Sequence, residues 1–144
     1  MESYWFSADP EDGKIFSIFL DPKEQLIGTF LECFPADALE RLEIEVNNVL
    51  EGRFWEYYYV DELLRFNANP ESTRIRCNIP GENKMDYFAT SYILQVLRDY
   101  NAFRDAQTGH VRQPYNYDED PWDMNDPWTR RRKKLRVKKE PPHE

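Results

Sequence analysis

Apolar and polar positions alternate with different periods along this chain, and the periods predict its elements. SYWFS (3–7) and KIFSIFL (14–20) are rich in β-formers and flank the turn-forming ADPEDG. That pattern predicts a hairpin with a six-residue loop. PKEQLIGTFLEC (22–33) reads as a short helix with Pro22 at its first position, or as a third strand over LIGTFLECF. From 35 to 51 the period is helical. Leu39, Leu42, Val46, Val49 and Leu50 share one face, Pro35 and Asp37 suit the first turn, and Gly52 suits the stop.

RFWEYYYV (53–60) then reads as a strand, since consecutive aromatics fit a pleated surface, and DELLRF (61–66) as one helical turn. TRIRCNI (73–79) alternates, with Ile75, Cys77 and Ile79 on one side and Arg74, Arg76 and Asn78 on the other. This is the pattern of an antiparallel strand covered on one face. Asn83 and Asp86 read as a helix cap. Ala89, Ile93, Val96, Leu97, Tyr100 and Phe103 then mark a helical stripe to about Asp105, with Gly109 beyond it. The expected fold class is α+β: an antiparallel sheet of about four strands with two main helices packed on one face, followed by an extended or disordered C-terminal tail.

Composition changes near Gln107. Residues 107–144 hold five prolines, and Val111, Leu135 and Val137 are their only residues from Ile, Leu, Val and Phe. Such a segment buries too little apolar surface to offset its ordering entropy. The expected organisation is an acidic domain over 1–106 and a mostly disordered tail over 107–144. The tail contains a doubled Asp-Pro-Trp (120–128) and a basic block (130–139).

Charge is segregated in the same way. Residues 1–106 carry ten basic and twenty acidic side chains, 107–129 one and five, and 130–144 eight and two. No apolar run approaches the roughly 18–20 residues that span a bilayer, and the first residues read as neither a signal nor a transit peptide. Cys33 and Cys77 lie among apolar residues and read as buried thiols of a reducing compartment. A cytoplasmic location is expected, or a nuclear one in a eukaryote given the basic block.

Little of the chain suits bond-making chemistry. The histidines are His110 and His143, both in the proposed tail, and neither GxxxxGK[ST] nor GxGxxG occurs. Glu56 sits among aromatics that could desolvate it, but a strand exposing Glu56, Tyr58 and Val60 is the blander reading. Asp61, Glu62 and Lys84 follow no catalytic spacing, and DEDPWDMND (118–126) lacks the glycine of a calcium loop. No catalytic residue, metal or cofactor is expected.

Binding features are richer. Glu40, Glu43, Asn47 and Glu51 project together from the predicted helix, with Glu32 and Glu45 nearby, as an acidic face for a basic partner. Trp55, Tyr57 and Tyr59, with Arg74 and Arg76, form a candidate aromatic and arginine face. Trp122 and Trp128 are candidate tail anchors; their Asp-Pro-Trp triplets resemble peptides that bind clathrin-adaptor appendage domains. Arg130, Arg131, Arg132, Lys133, Lys134, Arg136, Lys138 and Lys139 resemble a nuclear-localisation signal and suit polyanions, or the acidic body itself.

In size and acidity the chain resembles small toxin-immunity and phage-encoded inhibitor proteins, a likeness of composition with no motif behind it. The leading expectation is therefore a non-catalytic protein-binding protein, an inhibitor or immunity-type protein whose acidic surface docks on a basic partner such as a nuclease or other nucleic-acid enzyme. A nucleic-acid-associated protein acting through its basic tail is the alternative, and a carboxylate hydrolase the third.

Overall fold

The computed structural model describes residues 3–35 and 38–112. Strands β1 (Tyr4–Ala8) and β2 (Ile15–Phe19) pair antiparallel as a two-stranded sheet. Their loop closes with Asp9 N–H donating to Lys14 O and Gly13 N–H to Asp9 O, and Gly13 takes φ 75°. The chain then enters a 3-10 turn (Pro22–Glu24), where the Asp21 side chain accepts from Lys23 N–H. Helix α1 (Gln25–Cys33) follows directly, so the helical alternative for this stretch is the observed one.

Helix α1 is packed on two sides. Phe30 stacks on Phe66 of the large sheet at 5.1 Å between ring centroids. On the hairpin side, a Cβ on Gly28 would lie 3.0 Å from Ser17 Oγ and 3.3 Å from Phe19. Glycine is what lets this helix approach the hairpin so closely.

Helix α2 (Leu39–Leu50) buries the predicted stripe, with Leu39, Leu42, Val46 and Val49 at 1 % exposure or less. Burial of each such side chain contributes about 1.5–3 kcal/mol. The helix ends at Gly52, which takes φ 83°.

A four-stranded antiparallel meander comes next: β3 (Tyr57–Val60), β4 (Leu64–Ala68), β5 (Ser72–Ile79) and β6 (Glu82–Ala89), in that spatial order. Two of these strands correct the sequence reading. DELLRF is not a helical turn. Asp61 Oδ1 accepts from the N–H groups of Leu63 and Leu64, making a tight turn, and β4 starts at Leu64. Asn83 and Asp86 cap no helix but lie within β6. Pro80 and Gly81 form the two-residue turn between β5 and β6, with Gly81 at φ 87°.

Helix α3 (Thr90–Thr108) begins where β6 ends and continues past Gln107. Thr90 Oγ1 donates to Asn69 O at 2.6 Å and lies 2.8 Å from Thr73 Oγ1, which ties the helix start to the β4–β5 turn. It stops at Gly109, whose φ of 72° is the left-handed cap that favours glycine. The stripe Ile93, Val96, Leu97 and Tyr100 is buried.

The result is an α+β fold in which α1, α2 and α3 pack against one face of the sheet. Inward-facing Tyr57, Tyr59, Leu64, Phe66, Ala68, Ile75 and Cys77 complete the core. The hairpin packs on α1 and α3. No described helix is long and apolar enough to cross a membrane.

Candidate partner-binding surface

The acidic face expected on α2 meets α3 instead of standing free. Glu40 Oε1 lies 3.1 Å from Arg104 Nη2 and 2.7 Å from His110 Nε2. Glu43 Oε1 accepts from Asn101 Nδ2 at 2.9 Å and Arg112 Nη1 at 3.0 Å, and Asn47 Oδ1 accepts from Arg98 Nη2 at 3.1 Å. The side chains of Glu40 and Glu43 are only 16 % and 14 % exposed. Glu45 is buried and lies 3.7 Å from Arg41. Of the predicted acidic group, Glu51 stays exposed, 3.6 Å from Arg53.

Asp105 completes this network, accepting from Arg104 at 2.9 Å and Arg112 at 2.8 Å. Burial works to raise its pKa, but the hydrogen bonds and charges of Arg112 and Arg104 outweigh that and hold the carboxyl below its ordinary value. Glu40, Asp105 and His110 bring possible metal-ligand atoms within 4.8 Å of one another. Two guanidinium groups already occupy those carboxylates, and their charge opposes a divalent cation there.

The aromatic and arginine face is also rearranged. Tyr57 and Tyr59 are buried at 2 % and 1 % and point into the core, opposite to Arg74 and Arg76. Tyr58 takes their place. Cross-strand pairing sets the rows on the outer face: Tyr58, Asn67, Arg74, Tyr87 in one, and Val60, Arg65, Arg76, Met85 in the next. Tyr87 and Met85 are about half exposed, and Trp55, just before β3, is equally exposed.

Arg65 and Arg76 are direct cross-strand partners, and Arg74 lies two positions along β5 from Arg76. Arg76 Nε donates to Asn78 Oδ1 at 3.0 Å and Asn83 Oδ1 at 3.2 Å, both uncharged acceptors. Arg65 and Arg74 have no ion-pair partner among the described residues. A shallow depression of about 370 Å³ opens beside them, lined by Glu56, Asn67, Asn69, Ser72, Arg74 and Tyr87.

A second concavity, of about 500 Å³, lies between α1 and the β5–β6 edge and includes Lys23, Leu26, Cys77, Lys84 and Asp86. Its Cys77 thiol is pushed up to about 12, first by burial and then by the neighbouring Cys33 and Asp61. A thiol in that state supplies no thiolate nucleophile near neutral pH.

Sequence reasoning missed Arg65, Met85 and Tyr87, and it read Tyr58 as exposed without counting it in the binding face. The signal for Arg65 was present, because Leu64, Phe66 and Ala68 alternate with Arg65 and Asn67. For β3 the exposed side of Glu56, Tyr58 and Val60 was legible, yet Tyr57 and Tyr59 were grouped with the arginines. Trp122, Trp128 and the basic block at 130–139 lie outside the described residues. No family model, curated protein or solved structure matches the chain.

Proposed function

We propose that this is a non-catalytic protein-binding protein that engages its partner through the open face of the four-stranded sheet. One observation carries the reading: Arg65, Arg74 and Arg76 are grouped on that face beside exposed Met85 and Tyr87, with no carboxylate partner for Arg65 or Arg74 among the described residues. Arginine, tyrosine and methionine are the residue types enriched where protein surfaces meet. Like charges placed opposite each other on neighbouring strands weaken a sheet, and an anionic partner relieves that cost.

The polarity differs from that of an inhibitor docking through an acidic helix. Glu40 and Glu43 already satisfy Arg104, His110, Asn101 and Arg112, so they have little left to offer a basic enzyme. A non-catalytic role fits the Cys77 thiol, which burial, first among the causes, keeps protonated near neutral pH.

The test is affinity capture from the source cells with three tagged full-length chains: the native one, Arg65→Glu/Arg74→Glu, and Glu51→Lys as a control on the helical layer. A specific partner should be retained by the native and control chains and lost with the sheet-face variant, whose folding is checked by circular dichroism. Partners held equally by all three chains would reject the surface, and substrate turnover by the native chain would reject the non-catalytic reading.

A further inference from the structure

We infer that the open sheet face is the docking site of this chain's own acidic segment, residues 113–128. The inference rests on the reading of that face as a binding surface and names its resident occupant. The segment carries Asp118, Glu119, Asp120, Asp123 and Asp126, and no lysine or arginine. Interspersed are Tyr115, Tyr117, Trp122 and Trp128. The face offers the complement: Arg65, Arg74 and Arg76 for the carboxylates, and Tyr58, Met85 and Tyr87 for the rings. Trp and Tyr rings stack favourably on guanidinium planes, so both residue classes of the segment find a counterpart.

A tether offsets the net negative charge of the domain. Residues 1–106 carry twenty acidic and ten basic side chains, so a free polyanion is repelled as it approaches. A segment joined to the domain has no diffusional encounter to make, because its effective concentration is of millimolar order.

The reach is sufficient. Arg112, the last described residue, is clamped to Asp105 and Glu43 on the helical layer. The segment must therefore pass round an edge of the domain. Extended chain covers roughly 3.3–3.6 Å per residue, which gives about 17 Å before the first acid and over 40 Å by the last. A helix layer and a sheet are each about 10 Å thick. Docking hides the arginine cluster in the resting protein.

The experiment compares the native full-length chain with one in which the acids are neutralised, Asp118→Asn, Glu119→Gln, Asp120→Asn, Asp123→Asn and Asp126→Asn. NMR signals of the Arg65, Arg74 and Arg76 Nε–H groups and of the Tyr58, Met85 and Tyr87 amides report the face. These signals should differ between the two chains. A synthetic peptide of residues 113–128 added to the neutralised chain should restore the native positions, and Arg65→Glu/Arg74→Glu should weaken that peptide about tenfold or more. Identical face signals in the two chains would overturn the inference, as would a face that responds to a twelve-nucleotide oligothymidylate but not to the peptide.

The two readings fail separately. A partner lost on Arg65→Glu/Arg74→Glu, together with identical face signals, would leave the surface standing and remove its resident segment. A peptide that docks as expected, with no partner sensitive to the sheet, would do the reverse.

Discussion

Arg65 on β4 and Arg76 on β5 stand directly opposite each other on the uncovered side of the sheet. Opposed side chains on neighbouring strands have Cβ atoms about 5 Å apart, so the two guanidinium groups repel. In a chain with residues 118–126 neutralised as above, Arg65→Gln should therefore raise stability by about 0.2–1 kcal/mol in urea denaturation. If the proposed docking holds, the gain should be smaller in the native chain. A loss of stability in the neutralised chain would show that Arg65 is held by attraction instead.

The α2–α3 network should matter more for stability. Glu43 accepts from Asn101 and Arg112 while only 14 % exposed, and Asn101 is buried. Glu43→Ala leaves those donors underused and should cost about 1–3 kcal/mol by urea denaturation. An effect near zero would mean that the contacts are no better than an exposed surface pair.

Asp105 gives this network an acid limit. Its folded-state pKa is lowered from the ordinary 3.8, burial being outweighed by Arg112 and Arg104. A lowered carboxylate pKa stabilises the fold at pH values above the unfolded value, and that contribution is lost as pH falls through the folded one. Stability should decline as pH drops below 3.8, and Asp105→Asn should flatten that part of the profile. Parallel acid profiles for the two proteins would refute the assignment.

Tyr92 sets a limit at the other end. Its hydroxyl donates to Glu24 Oε1 at 2.5 Å, and burial, with Glu24 adding to it, pushes its pKa from 10 up to about 12. The neutral phenol then stabilises the fold below pH 10, and that contribution disappears as pH rises through about 12. Tyr92→Phe should lower stability at neutral pH and make the alkaline decline shallower. The tyrosinate absorbance of the native protein should include a step near 12 that the variant lacks.

Asn48 is completely buried on α2, and neither its Oδ1 nor its Nδ2 has a hydrogen-bond partner among the described residues. Replacing an unsatisfied amide with an apolar side chain of similar size removes a desolvation penalty, so Asn48→Leu should stabilise by about 1–3 kcal/mol. Destabilisation would show that a polar partner, such as an internal water, holds the amide.

The amino-acid order by itself determined the elements whose pattern has contrast. The hairpin over 3–20, the stripe Leu39, Leu42, Val46 and Val49, the alternation of 73–79 and the stripe from Ile93 to Tyr100 all follow from polar and apolar positions close together in sequence. Local contrast was missing for β6, whose inward positions include Lys84 and Asp86 at the sheet edge. For β3, Glu56 already suggested that Tyr58 and Val60 face outward, and packing against α1 and α2 fixed Tyr57 and Tyr59 in the core, because a one-residue change of phase reverses every side chain of a strand. Tertiary structure likewise decided the fate of the acidic helix. Arg98, Arg104 and Arg112 are more than fifty positions from the residues they meet on α2, and no helical period could reveal that α3 would bring them there.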